Sequence, residues 1–501
     1  MDLKDLRAEI DQIDDQLIQL FAARMDIAAK IAEFKKENHL PILVPSREQE
    51  KLLDVRKKAR PDLAEYTCSL FSTLFELSRS YQNSYLNASA VPNKKCGLLG
   101  RKLAHSYSPQ IHSMLGDYSY TLYEKEPEEL ADFLKSGVFS GINVTIPYKK
   151  VVIPYLDELS PTAKELGAVN TVIRRPDGTL YGHNTDHSGF RAMVAASNLS
   201  VTGKKALVLG SGGASATAAA VLKQMGADVF VISRTGENHY GNLGKHADAS
   251  IIVNATPVGM YPETRISPID LTLFPNLEGV LDMIYNPART RLLMDAETRG
   301  LTAVNGLLML VAQAKEAAEY FTGSPVSDNK ISQICSTLSG QMQNIILIGM
   351  PGCGKSTIGK LLAEKCGRRF VDADQEIITL AGKSIPEIFR QDGEEAFREL
   401  ETHVLSTLGK QSGLVIATGG GCVTRNRNYP LLHQNGQILW IRRSEELLST
   451  EGRPLSQSGN LTQMYAEREP LYHAFADFSF ENNATPMDLV TAILEKLEVN
   501  P

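Results

Sequence analysis

The chain is short of several things that would narrow its function quickly. It has only six cysteines in 501 residues (Cys68, Cys96, Cys335, Cys353, Cys366, Cys422), scattered and without a C-x-x-C. That excludes the usual zinc-finger spacing and a disulfide framework, and suits a reducing compartment. No His/Cys cluster has metal-ligand spacing. No uninterrupted apolar run approaches the roughly 18 residues of a membrane span. The opening residues, MDLKDL, are charged and acidic, whereas a secretory signal is basic and then apolar. Basic charge is not in excess: 52 Lys and Arg against 58 Asp and Glu leave a formal charge of −6. This argues against nucleic acid or an anionic membrane as the main partner. These absences point to a cytoplasmic protein that acts on small molecules.

What is present is an ordinary globular composition, 43% hydrophobic and 22% charged, in a chain long enough for about three domains. The most specific stretch is residues 349–357, GMPGCGKST, after the apolar run 345–348 and before a helical pattern. The pattern G-x-x-x-x-G-K-[ST] in that context is a phosphate-binding loop. Its glycines wrap a phosphate chain, the helix N-terminus offers free N–H groups, and the lysine adds positive charge. Gly349, Gly352, Gly354, Lys355, Ser356 and Thr357 are therefore candidate ATP contacts, with Ser356 facing Mg²⁺ and Lys355 the transferring phosphate. Next comes FVDAD, 370–374. Strand alternation sends Asp372 and Asp374 to the same side, one for the Mg²⁺ shell and one for an acceptor hydroxyl. The turn VIATGGG, 415–421, lets backbone approach a small ligand. GRPL (452–455) and REPL (468–471) follow.

A second phosphate-binding turn lies at 207–215, LVLGSGGAS, with Ser215 where G-x-G-x-x-G has its third glycine. Gly210, Ser211, Gly212, Gly213, Ala214 and Ser215 are candidate dinucleotide contacts. The next strand, 229–233, ends in Ser233-Arg234-Thr235 with no carboxylate. A 2′-hydroxyl wants an acid there and a 2′-phosphate a cation, so the cofactor expected is NADP(H).

The first 87 residues read as three helices. Leu3, Leu6, Ile10, Ile13, Leu17 and Leu20 form the apolar face of the first, which reaches about Lys36; a second starts at 45–46; Pro61 breaks it; a third runs over 63–86. Arg24 and Lys35 share a face roughly 16 Å apart, able to lean on one dianion, whereas Arg7 sits about 25 Å from Arg24 and is either unrelated or serves a partner chain.

Three resemblances follow from these residues. Residues 1–87 resemble the all-helical chorismate mutases at Arg7, Arg24, Lys35, Arg47, Glu48, Ser78 and Gln82. The likeness implies a chorismate site in an intertwined dimer, Arg7 reaching the partner's site, with Lys35 and Gln82 at the ether oxygen. An acid usual in the family is replaced by Val44. Residues 94–323 resemble shikimate dehydrogenase. The paired serines Ser106 and Ser108 would take the substrate carboxylate, and Asn143, Thr145, Asn170 and Gln313 the ring hydroxyls. Lys149 and Asp186 would be catalytic, with Tyr285 beside nicotinamide and substrate. A basic residue common after the glycine-rich turn is Ala216 here, and a second Arg after Thr235 is missing. Residues 343–501 resemble shikimate kinase. Asp374, Arg398, Gly420, Gly421 and Arg468 would hold shikimate, Asp374 would take the hydroxyl proton, and Arg453 in a lid would meet the phosphate.

The fold expected is thus multidomain: an all-α mutase-like region (1–87); a two-lobed α/β reductase (94–323) with a substrate lobe over about 94–200 plus C-terminal helices and a Rossmann lobe over about 201–300; and an α/β P-loop kinase with a parallel sheet (343–501). The expected activities are reduction of 3-dehydroshikimate, phosphorylation of shikimate, and rearrangement of chorismate. Quinate stays open as a reductase substrate. The mutase step is not adjacent to the other two, so the helical region has a second reading as a dimerising or sensing module.

Overall fold

The structure, a computed structural model, describes residues 3–37, 45–87, 94–103, 106–444, 461–483 and 485–497. They fall into two compact units, 1–109 with 116–142, and 110–115 with 143–501.

In the first unit, helices Leu3–Glu37, Pro45–Lys58 and Ala64–Asn87 form as the periodicity predicts, the third packing on the other two. Pro61 opens a 3-10 turn, where its missing N–H is tolerated, and so separates the second helix from the third. Met25, Ala28, Ala29 and Ala32 are buried. The predicted apolar face is not: Ile10, Ile13, Leu17 and Leu20 are between 52% and 67% exposed. The helix was read correctly, but its leucine-rich stripe finds no cover within the described residues of this chain. The same unit holds strands Lys95–Gly100 and Ser119–Glu124, paired in parallel with Leu98 beside Leu122.

The second unit continues with strand Thr171–Arg174, antiparallel to Leu180–His183, which also pairs in parallel with Glu158–Leu159. Gly141–Val144 is a strand whose four residues are all buried. Beyond it the Tyr148 N–H donates to the Thr145 carbonyl at 2.8 Å, so the chain turns there. Helix Asp186–Ala196 lies against Leu307–Thr322, so close that a Cβ at Gly189 would stand 2.7 Å from the Met309 carbonyl oxygen.

A five-stranded parallel sheet follows in the order Thr302–Val304, Gly279–Asp282, Ile251–Asn254, Lys205–Leu209, Asp228–Ile232. Its strands are near-continuous apolar runs because both faces are covered. Ala206 and Val208 enter one core and Leu207 and Leu209 the other. The order reverses at Lys205–Leu209, and a crevice at such a reversal is where doubly wound sheets hold nucleotides.

A second parallel sheet runs Arg369–Asp372, Leu414–Ala417, Asn344–Ile348, Gly436–Arg442, Phe478–Glu481. Three of its strands end at motif residues: Asp372, the 418–421 turn and Gly349. A helix with no sequence expectation, Asn329–Met342, precedes this sheet. Ile331, Ile334, Leu338 and Met342 carried its periodicity.

Candidate active sites

The phosphate loop begins at Gly349, where φ is +142° and an added Cβ would overlap the Ile441 carbonyl. Only glycine fits both demands. Helix Lys355–Cys366 starts directly after Gly354, so its free N–H groups face the loop. Lys355 is buried, and its Nζ donates to the Gly349 and Met350 carbonyls at 2.8 and 3.0 Å. The ammonium is thereby held at the mouth of the loop. Ser356 Oγ donates to Asp372 Oδ2 at 2.7 Å, which brings two oxygen donors of the kind Mg²⁺ prefers side by side. These residues fit Mg-ATP.

Asp374 reaches the site by a different route from the one expected. The strand stops at Asp372, which caps helix Ala373–Ala381, its Oδ1 accepting from the Asp374 N–H at 3.1 Å. Strand alternation therefore does not apply between the two aspartates; a helix turn brings both to the same cavity. That cavity, of 410 Å³, is lined by Gly352, Gly354, Lys355, Ser356, Thr357, Asp372, Asp374, Arg398, Gly420, Gly421 and Arg468. Arg398 Nη1 bonds Glu401 Oε2 at 2.9 Å, and Nη2 bonds Glu394 Oε1 at 3.1 Å. A Cβ at Gly421 would overlap the Arg398 guanidinium, and one at Gly419 would stand 2.7 Å from Asp374 Oδ1 and 2.8 Å from Glu401 Oε1. Gly419 and Gly421 thus make room for charged groups, and Gly420 makes room for Pro351. Arg468 Nη1 and the buried Tyr472 hydroxyl both donate to the Gly420 carbonyl, at 3.3 and 2.5 Å. Arg453 lies outside the described residues.

Glu401 was missed from sequence. It is 1% exposed, and burial pushes its carboxyl up to about 7 against the pull of the Arg398 charge. Its i,i+3 spacing from Arg398 on an amphipathic helix was the available signal. Phe389, Phe397 and Ile385 form the apolar wall of the same cavity.

In the reductase region, Lys149 Nζ and Asp186 Oδ2 are 2.6 Å apart and largely buried. Asp186 opens its helix, and its N–H donates to Asn184 Oδ1 at 3.1 Å. Beside them is a cluster of buried amides and hydroxyls. Asn170 Nδ2 donates to Thr185 Oγ1 at 3.0 Å and to Gln313 Oε1 at 3.4 Å, and Asn143 Nδ2 donates to Thr171 Oγ1 at 3.2 Å. Thr171 and Thr185 join this cluster although neither was singled out. Thr145 and Tyr285 are half-buried in the same unit. Ser106 and Ser108 belong to the first unit, where the Ser108 N–H donates to Ser106 Oγ at 3.2 Å.

The glycine-rich turn of the reductase sits at the sheet reversal. Gly210 has φ +113° with Ala255 and Thr256 against it. At the start of the helix Gly213–Gln224, Gly212 and Gly213 leave open space: an added Cβ meets nothing within 4 Å. That space and the free helix N-terminus fit a pyrophosphate. Ser215, at the third glycine position, is buried and its hydroxyl donates to the Gly210 carbonyl at 2.6 Å, clasping the turn. Ser211 is exposed and Ala214 half-buried, both on the same turn. Arg234 and Thr235 are exposed beyond the strand end and Ser233 is half-buried, which fits a 2′-phosphate. Behind the turn Asp282 is fully buried and accepts from Thr290 Oγ1 (2.6 Å), Asn254 Nδ2 and the Ile284 N–H (both 3.0 Å). Burial pushes its carboxyl up to about 6. It ties the Asn254 loop to the segment that carries Tyr285.

The helical region brings some of its candidates together. Arg24 Nη1 donates to Ser78 Oγ and to the Leu74 carbonyl, with its guanidinium 5.8 Å from the Phe75 ring centroid. Ser78 and Gln82 are buried, and Gln82 Oε1 has no partner among the described residues. Lys35 is half-buried. Glu48 is held by Arg79, at 2.5 and 2.6 Å, a residue not anticipated. Arg47 instead pairs with Glu50 on the surface at 2.7 Å, and Arg7 is exposed.

A doubly wound dinucleotide lobe with a Lys–Asp pair and an amide cluster defines an α/β oxidoreductase, joined here to a P-loop phosphotransferase. Comparison with known proteins agrees. The chain is 35% identical over 257 residues to a shikimate dehydrogenase (NADP(+)) of Clostridium beijerinckii, spanning 47% of this chain and 94% of that protein. It is 36% identical over 271 residues to one from Symbiobacterium thermophilum, spanning 47% and 92%. The chain belongs to the shikimate dehydrogenase family. The model of the shikimate dehydrogenase substrate binding domain matches residues 98–172, that of chorismate mutase type II residues 6–83, and that of shikimate kinase residues 351–498. A solved structure of a chorismate mutase/shikimate 5-dehydrogenase fusion protein from Clostridium acetobutylicum is 35% identical, with a TM-score of 0.47 over 50% of this chain and 97% of that one. The three family matches make the chain a multifunctional enzyme of the shikimate pathway.

Proposed function

We propose that residues 94–323 reduce 3-dehydroshikimate to shikimate with NADPH, residues 343–501 phosphorylate it to shikimate 3-phosphate with Mg-ATP, and residues 1–87 rearrange chorismate to prephenate. The observation that carries the reading is the 410 Å³ cavity in which the phosphate loop, Asp374, Arg398 and Arg468 face one another. A phosphate cradle opposite two arginines and a carboxylate suits a small carboxylated polyol as acceptor.

In the kinase, Arg398 and Arg468 grip the shikimate carboxylate and Asp374 accepts the hydroxyl proton. Gly420 and Gly421 bring backbone to the ring. Lys355, Ser356, Asp372 and the lid residue Arg453 hold the phosphates and Mg²⁺. ATP supplies the phosphoryl group. In the reductase, Ser106 and Ser108 take the substrate carboxylate, while Asn143, Thr145, Asn170 and Gln313 hold the hydroxyls, and Tyr285 packs beside the ring. NADPH supplies a hydride, and Lys149, held in place by its 2.6 Å contact with Asp186, gives the ketone oxygen its proton. The turn 210–215 and Ser233-Arg234-Thr235 hold the dinucleotide.

In the mutase, Arg24, Lys35, Arg47, Glu48, Ser78 and Gln82 surround chorismate. Arg7 completes the site of a second copy in a homodimer. The exposed stripe of Ile10, Ile13, Leu17 and Leu20 supports that dimer, since an apolar face of this length calls for a partner. The stripe also favours the second reading, in which the helices only dimerise. Lys35→Ala separates them: lost mutase activity with an intact dimer means catalysis, and a parent protein without mutase activity means dimerisation alone. The reading includes a cytoplasmic location and small-molecule partners; no helix among the described residues is long and apolar enough to cross a membrane. The whole reading is tested by supplying 3-dehydroshikimate, NADPH and Mg-ATP and looking for shikimate 3-phosphate.

A further inference from the structure

A cavity of 370 Å³ lies away from both sites of the second unit, walled on one side by the reductase and on the other by the kinase. Its size falls at the lower end for small-molecule sites. The reductase wall offers Arg265 and Arg291, and the kinase wall Arg427, Thr402, His403 and Ser406. A second hollow of 330 Å³ shares Arg265, His403 and Ser406 and adds Lys410. The cations are incompletely neutralised. Arg291 pairs with Asp295 at 2.8 Å, and Glu399, the one carboxylate among the described residues of the wall, is already shared between Arg425 and Arg427. Arg265 and Lys410 have no hydrogen-bond or ion-pair partner among the described residues. A cleft with surplus guanidinium and hydroxyl donors selects an anion with several acceptor oxygens.

The walls are joined to both active sites. Helix Gly393–Leu408 presents Thr402, His403 and Ser406 to the cleft, while Arg398 and Glu401, on another face, line the kinase cavity. Thr402 Oγ1 donates to Asn428 Oδ1 at 2.8 Å, and Asn428 Nδ2 donates to the Cys422 carbonyl at 2.8 Å, next to the glycine turn. On the reductase side, Arg291 begins the helix capped by Thr290, the residue that donates to Asp282.

We propose that this cleft is an effector site for a small molecule bearing a phosphate group, and that its occupancy alters the kinase acceptor pocket through the 393–408 helix. The binding claim stands independently of which acceptor the kinase uses.

The test is calorimetric titration of the full chain with inorganic phosphate and, separately, with 3-phosphoglycerate. Mg-ADP, shikimate and NADP⁺ are present to fill the other phosphate and carboxylate sites. Both probes are expected to bind the wild type, about tenfold more weakly to Arg265→Glu, and nearly normally to Arg265→Lys. Tighter binding of the ester identifies an organic phosphate as the ligand, and equal binding identifies free phosphate. The probe that binds should shift the KM for shikimate in the wild type and not in Arg265→Glu. No binding to the wild type, or equal binding to Arg265→Glu, overturns the site. Binding with an unmoved KM overturns its effect on the kinase. Arg265 is exposed, so its replacement leaves the fold and basal kinase activity in place.

Discussion

The kinase region and the N-terminal helices received similar sequence treatment, a set of charged residues placed by resemblance, yet the fold treats them differently. In the kinase, every described candidate except Gly349 lines one cavity in a single chain. In the helices, Arg24, Ser78 and Gln82 sit at one seam while Arg7 and Arg47 are on the surface and an apolar stripe is exposed. A parallel sheet delivers the ends of distant strands to one edge, so its site closes within the chain. A long helix spreads residues along its axis, and a compact site needs a second helix from elsewhere.

Breaking the self-contained side should give the largest effect. Asp374→Asn is expected to lower kinase kcat by about 10²–10⁴-fold, read as ADP formation with shikimate, with NADPH oxidation by the reductase unchanged. On the other side, Leu17→Glu places a charge on the exposed stripe. It should cost more than about 2 kcal/mol of association, giving monomers by sedimentation and no mutase activity, with the other two activities intact. A dimer that survives would mean the stripe has another role.

Glu401→Gln sharpens the comparison, because a carboxyl shut inside one chain carries a pH signature. Its value rises from an ordinary 4.5 to about 7 on folding. The folded state therefore binds its proton more tightly, so the stabilising contribution is full below about 4.5 and is lost as pH rises towards 7. Relative to Glu401→Gln, the wild type should lose up to about 3 kcal/mol of stability over that window, measured by urea unfolding at several pH values. The smallest effect expected is for Ser215→Ala, which removes the clasp on Gly210 and should raise the KM for NADPH about fivefold, the equivalent of one hydrogen bond.

The sequence showed the element types and most candidate residues because glycine-rich turns and apolar strands are local signals. What it hid was three-dimensional. Asp374 enters through a helix cap at Asp372, which alternation along a strand cannot anticipate. Glu401 and Tyr472 support Arg398 and Gly420 from a distance in sequence or from an unremarked helix face. The stripe on the first helix was legible as apolar, but periodicity does not say whether the covering surface lies in the same chain. Ser215 read as a weakened fingerprint and is instead a hydrogen-bonded substitute for close packing.

The most direct measurement supplies the intact protein with 3-dehydroshikimate, NADPH and Mg-ATP and follows products by mass spectrometry. The account predicts shikimate 3-phosphate, with shikimate alone accumulating when ATP is withheld and neither product when NADPH is withheld. Oxidation of NADPH without phosphorylation, or no turnover in the complete mixture, would contradict it.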